Sequence, residues 1–212
     1  MSRFFRTLTH FADKPYLPLL AASCLMCLLS ACSGNAAIQR QQYDFGLPAI
    51  PAVGNGSSKL QVSLADIQVV PALDSNAMWY RLQYDNAQQL KAYAQARWSM
   101  PPAQLLAQRL KIQMLATGTQ VINANDGIVT QPVLRIELDE FSQVFTSSTN
   151  SHAQINARAV LSKGKMILAQ RSFSVQSPSK TPDASGGARA MQETSDALIS
   201  EIQQWLTQLA AV

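Results

Sequence analysis

Residues Ala77 to Leu110 read AMWYRLQYDNAQQLKAYAQARWSMPPAQLLAQRL, and the order of their side chains decides the fold. Met78 to Tyr84 is rich in aromatic and long apolar side chains, which suit a pleated, half-buried surface and predict a strand. Asp85-Asn86 is a turn pair, because short polar side chains tolerate left-handed backbone and bond their own main chain. Leu90, Ala92, Ala94, Ala96 and Trp98 then alternate with Lys91, Tyr93, Gln95 and Arg97, predicting a second strand with one apolar face. Pro101-Pro102 closes that strand and opens a helix, since the first helical turn does not use the N–H that proline lacks. Leu105, Leu106, Arg109, Leu110, Ile112 and Met114 continue at helical spacing toward Gly118, a natural stop. The stretch therefore predicts strand, tight turn, strand, helix.

Toward the C-terminus, Thr119 to Ile122 reads as a short strand and Asn123 to Gly127 as a loop. Val133 to Phe145 is a long strand with Leu134, Ile136 and Leu138 facing one way. Ala153, Ile155, Ala157, Ala159 and Leu161 alternate with His152, Gln154, Asn156, Arg158 and Val160 in the next strand. After the Lys163-Gly164 turn, Lys165 to Gln176 returns with Ile167, Ala169, Arg171, Phe173 and Val175 expected on one face. Three strands with short connections predict an antiparallel meander. A long helix follows from about Ala184, its stripe formed by Ala188, Met191, Ser195, Leu198, Ile202, Trp205, Leu206 and Leu209, with Glu193, Asp196, Glu201 and Gln208 away from it. The stripe is expected to cover the sheet, with a second copy of the chain as the alternative surface.

Toward the N-terminus, Lys59 to Val70 predicts a strand whose apolar phase shifts between Leu64 and Ile67, placing a bulge near Ala65-Asp66. Gly- and Pro-punctuated residues 33–58 read as a tether, within which Tyr43-Asp44-Phe45-Gly46-Leu47 is apolar enough to dock on the domain as an edge. Residues 1–31 read as an export signal: Arg3, Arg6 and Lys14 precede an apolar run from Leu19 to Leu29 that is too short to span a membrane comfortably. The run ends in Leu29-Ser30-Ala31-Cys32, a bacterial lipobox in which the Cys32 thiol would carry the lipid. Ser33 after the anchor, where aspartate would favour inner-membrane retention, leads us to expect the periplasmic face of the outer membrane. Cys24 and Cys27 leave with the signal, so their C-x-x-C spacing is neither a metal nor a redox site, and no disulfide is available.

These elements predict an α+β fold: a two-layer domain, mainly antiparallel sheet, with Pro102 to Thr117 and the C-terminal helix packed on one face. Its limits are residues 1–31 for the signal, 32–58 for the lipidated tether and 59–212 for the domain. The formal charge is +4; removal of the signal leaves 14 basic against 12 acidic residues, +2, too little to suggest nucleic-acid binding.

Chemistry is sparse. His152 is the one histidine beyond the signal, and the mature chain has no free thiol, so a zinc site, a Ser-His-Asp triad or a Cys-His pair would need unusual substitutes. Asp139 and Glu140 are adjacent, hence on opposite faces of a strand. Ser185-Gly186-Gly187 lacks the lysine of a phosphate loop. No catalytic residue, metal ligand or cofactor is expected, and the chain is read as not an enzyme. Trp79, Tyr80, Arg81, Tyr84, Tyr93, Arg97 and Trp98, on the two paired strands, are the candidate partner-binding residues. Most of their rings are expected in the core; any that are exposed would anchor a partner, with the arginines stacking on rings or pairing with a carboxylate.

The combination of Ala77-Met78 with Tyr80-Arg81-Leu82, then Tyr84, Tyr93, Arg97-Trp98 and Pro101-Pro102 before Leu105-Leu106, resembles the ABC-type transport auxiliary lipoprotein family of the paraquat-inducible protein C type. The resemblance runs from about Tyr43 to the C-terminus. It implies a non-enzymatic auxiliary of transporters that pair an inner-membrane ABC engine with MCE-domain proteins and move lipids across the envelope. The implied partner is the MCE component, docked at the outer membrane, with Cys32 as anchor. A lipoprotein that activates a cell-wall synthase or helps assemble an envelope complex is the alternative reading. A periplasmic hydrolase, testable at His152 and Glu140, is the third. A homo-oligomer stays open, because an amphipathic helix and edge strands are available.

Overall fold

The computed structural model describes residues 40–47, 61–124 and 131–210. The signal, the lipobox with Cys32, most of the tether, Lys59-Leu60 and the loop from Asn125 lie outside them. The described residues belong to one unit that begins at Arg40. In chain order its strands are β1 (Gln41–Tyr43), β2 (Gln61–Leu64), β3 (Gln68–Val69), β4 (Ala77–Leu82), β5 (Ala87–Trp98), β6 (Gln120–Asn123), β7 (Val133–Phe145), β8 (Ser151–Lys163) and β9 (Met166–Pro178). The helices are α1 (Gln83–Asn86, a single turn where the Asp85-Asn86 turn was expected), α2 (Pro102–Ala116) and α3 (Ala184–Ala210).

β7 is the spine. Its Leu134, Ile136 and Leu138 are no more than 1% exposed, as alternation predicts. One edge pairs antiparallel with β8 along its whole length, and β8 pairs antiparallel with β9, forming the expected meander. Three short strands share the other edge in chain order, all parallel to β7: β2 at Val133-Leu134, β3 at Glu137-Leu138 and β4 at Gln143 to Phe145. β5 pairs antiparallel with β4, β1 parallel with β5, and β6 parallel with β2. The fold is α+β, as expected, and the sheet is mixed: most of its paired length is antiparallel, in β4–β5 and the β7–β8–β9 meander, while the five short pairings of β1–β5, β2–β6, β2–β7, β3–β7 and β4–β7 are parallel. Strands of two to six residues carry little record of their partner's direction.

Both long helices bury apolar faces in the core beneath the sheet. α2 begins at Pro102 and ends at left-handed Gly118 (φ 82°), where Thr119 N donates to Met114 O. The α3 stripe covers the meander, and Trp205 meets Phe173 edge-on at 6.1 Å between centroids. Asp196 departs from its expected place on the solvent side: it faces α2. Gly186 and Gly187 have a steric reason. A Cβ on Gly186 would lie 2.1 Å from Thr181 O, and one on Gly187 would lie 2.0 Å from Gln143 Oε1.

Two strands change phase against the sequence pattern. In β5, Ala96 and Trp98 are buried, yet half-buried Lys91 and Tyr93 replace exposed Ala92 and Ala94 on the core side. The cause is a wide bulge, since Ala77 pairs with Arg97 but Trp79 pairs with Ala92. In β9 a register skip at Leu168 turns Ile167 off the core face and leaves it 63% exposed. The bulge expected near Ala65-Asp66 is present as one extra residue between β2 and β3 relative to β7.

The tether gives up eight residues to the domain, whose edge is therefore Arg40 and not Lys59. β1 extends the sheet, Gly46 (φ 63°) closes a turn by donating to Asp44 Oδ1, and Phe45 is buried. Phe45 stands edge-on to Trp98 at 5.9 Å and lies 6.4 Å from Phe141.

Candidate partner-docking face

Neither long helix covers the second face of the sheet; the single turn α1 meets it at Gln83. Alternation and register assign it Arg81 beside Val144, His152 beside Val144, Gln154 beside Ser142, Asn156 beside Glu140, and Arg158 beside Glu137. A shallow depression of ≈ 400 Å³ opens there, lined by Arg81, Gln83, Glu140, His152, Asn156 and Gln176. β4, β7, β8 and β9 each contribute, with Gln83 of α1 and Ala87 of β5 at one end.

Two arginines on this face are paired with carboxylates. Arg81 reaches Glu140 through Nη2 at 2.9 Å and Nε at 3.2 Å, and Ser142 Oγ donates to the same carboxylate at 2.5 Å. Arg158 holds Glu137 at 2.8 Å. Burial lowers the His152 pKa below its usual 6.5, so the ring is neutral near pH 7 and offers one donor and one acceptor. Beside it, Gln154 donates to Asn156 Oδ1 at 2.7 Å, and Ser174 Oγ donates to the same oxygen at 2.9 Å. The arrangement suits hydrogen bonding to a polar surface. Among the described residues no cluster of His, Cys, Asp and Glu could hold a metal ion, and no helix is long and apolar enough to cross a membrane.

The family model of the ABC-type transport auxiliary lipoprotein component matches residues 43–203. The chain belongs to that family. Membership makes it a lipoprotein component of a transport system and places it in the cell envelope. Its fold is similar to the crystal structure of XCC0632 from Xanthomonas campestris, with a TM-score of 0.70 at 19% identity over 81% of this chain and 97% of that one. A second crystal structure, of an uncharacterized protein, gives a TM-score of 0.63 at 14% identity over 79% and 99%. No curated protein sequence matches the chain.

In this auxiliary lipoprotein domain the seven candidate partner-binding residues separate. Trp98, 1% exposed, is core and is withdrawn from the set, because Phe45 and Phe141 enclose it. Tyr80 and Tyr93 meet on the helix side with their rings tilted, 4.7 Å between centroids; Tyr93 OH donates to Gln143 Oε1 at 2.9 Å, and burial drives its pKa well above the usual phenol value. Arg97 faces Gln42 across the β1–β5 pair, and that amide, with its oxygen turned inward, accepts from Nη2 at 2.6 Å. Arg81 finds the carboxylate expected of it, in Glu140. Trp79 shares Arg81's face, half-buried, with an indole N–H that has no partner. Tyr84, on α1, is 52% exposed. His152, Gln154, Asn156 and Gln176 complete the face and were missed as a site. The polar half of the β8 alternation was their one signal, and it reads equally as a solvated surface.

Proposed function

We propose that the chain is a lipid-anchored, non-enzymatic auxiliary of an MCE-type ABC system that moves lipids between inner and outer membranes. Cys32 holds it at the periplasmic face of the outer membrane, and the open sheet face docks the MCE component. The observation that carries this reading is the family match over residues 43–203. The docking role is supported by a polar face that neither long helix covers, with exposed Tyr84 next in sequence to Gln83 of its lining. The absence of catalysis is supported by Glu140, whose carboxylate is already engaged by Arg81 and Ser142.

The test is affinity capture from crosslinked envelopes, comparing the full-length chain with Cys32→Ala and with Tyr84→Ala/Gln176→Arg. An MCE-domain protein captured by the full-length chain and lost with the face variant is the expected result. Capture of a cell-wall synthase without an MCE protein would move the chain to the alternative role. Undiminished capture by the face variant would move the docking surface elsewhere.

A further inference from the structure

The turn between β8 and β9 carries the one run of three consecutive exposed large apolar side chains among the described residues: Met166 at 61%, Ile167 at 63% and Leu168 at 43%. The exposure is built in. Gly164 turns the chain with φ 59°, and the register skip between Leu161/Ala169 and Ser162/Ile167 leaves Leu168 without a cross-strand partner and turns Ile167 off the face that buries Phe173 and Val175. β7 starts at Val133 opposite Ser162, so the turn from Lys163 to Met166 projects past the start of its neighbour. An apolar run on a projecting edge is an aggregation hazard unless something covers it.

Charge identifies the cover. From Phe141 to Pro182 the sequence has no aspartate or glutamate; Arg158 is held by Glu137 and Lys180 lies beyond the far end of β9, so the charge at the turn is that of Lys163 and Lys165, with Arg171 farther along the strand. Lys163 and Lys165 flank the apolar run directly, and among the described residues neither pairs with a carboxylate. Adjacent apolar and basic side chains on a projecting turn match an anionic bilayer, whose headgroups take the lysines and whose acyl boundary takes the apolar side chains. An acidic protein surface would satisfy the lysines but gives no reason for three large apolar side chains at a tip of this size.

The geometry points to the β8–β9 turn as a second membrane contact, which dips Met166, Ile167 and Leu168 into a phospholipid surface while Lys163 and Lys165 hold anionic headgroups. The assignment does not depend on the MCE partner. If Cys32 is the anchor, the seven residues 33–39 reach about 25 Å at most and keep β1 near the membrane; β9 is at the opposite edge of the sheet, so contact at the turn would be a second point that fixes how the domain faces the bilayer.

The test uses the chain from residue 33, which contains the whole unit beginning at Arg40 and has no cysteine. It is mixed with vesicles of phosphatidylethanolamine plus phosphatidylglycerol and, separately, of phosphatidylcholine alone. Partition onto the anionic vesicles is expected to exceed that onto the neutral ones by about tenfold and to fall with added salt. Met166→Ser/Ile167→Ser/Leu168→Ser and Lys163→Glu/Lys165→Glu are each expected to lose the difference, whereas Leu115→Ser, which removes an equally exposed apolar side chain from α2, is expected to keep it. A fluorophore on Ile167→Cys, the chain's single thiol, is expected to shift to the blue only with anionic vesicles. Equal partition of the wild type and both turn variants would overturn the assignment. So would burial of the fluorophore by a second copy or by a captured MCE protein in place of lipid.

Discussion

Arg109 of α2 and Asp196 of α3 form a two-pronged ion pair, Nε to Oδ1 at 2.7 Å and Nη2 to Oδ2 at 2.8 Å. Gln113 Nε2 donates to the same carboxylate, and Arg109 Nη1 reaches Phe45 O at 3.4 Å. One guanidinium thus ties both long helices to the segment after β1. Arg109→Leu or Asp196→Ala is expected to lower unfolding free energy by about 2 kcal/mol. The loss is less than for a wholly buried pair because the Asp196 side chain is 33% exposed. Urea denaturation of both variants and the double variant would show a coupling near zero if the pair is not the cause.

Phe45→Ala would open a cavity against Trp98 and Phe141. A loss of about 3–4 kcal/mol is expected, with the indole emission of Trp98 moving to the red as water enters. Unchanged stability would mean that residues 40–47 add nothing to the core.

Gly186→Ala must displace Thr181 O, a backbone atom, whereas Gly187→Ala meets the end of the Gln143 side chain. Both are expected to destabilise by about 1–3 kcal/mol. Only the second is expected to recover part of the loss when combined with Gln143→Ser. Recovery of both by that change would contradict the steric assignment.

His152 makes stability depend on pH. Its native pKa lies below 6.5, so between that native value and 6.5 the unfolded chain binds more protons than the folded one. Stability is therefore expected to be flat above pH 6.5, to decline as pH falls through this window, and to level off once it is passed. Asp183 adds a separate loss below pH 3.8, because its carboxylate caps α3 through Gly186 N at 2.7 Å and its pKa is lowered by that bond. Thermal unfolding of His152→Gln from pH 4.5 to 8 is expected to lack the upper decline; persistence of that decline would assign it to another group.

The long elements were legible because their periodicity survives intact. Leu134, Ile136 and Leu138, and Ala153 to Leu161, bury as their alternation says. Ala92, Ala94 and Ile167 were misplaced, while Ala96 and Trp98 bury as expected, because a bulge shifts a period-two pattern without marking the residues on either side of it. Asp196 was misplaced because a polar residue beside an apolar stripe reads as solvated until its partner on another helix is known. Within the candidate face, Arg81 was legible from an arginine on an aromatic strand. Glu140, His152 and Asn156 were not, because their meeting depends on the β7–β8 register, which local sequence does not encode.

Ser63 pairs with Val133, Gln68 with Glu137 and Tyr80 with Gln143, contacts that span 70, 69 and 63 residues. β7 is thus the template on which β2, β3 and β4 are laid: until it arrives β3 has no edge to join, and β4 and β2 have only β5 and β6. The half of the domain that precedes Val133 can therefore form the β1–β5–β4 and β2–β6 pairs but cannot join them into one sheet until β7 is made, and this long-range joining makes assembly slow and late.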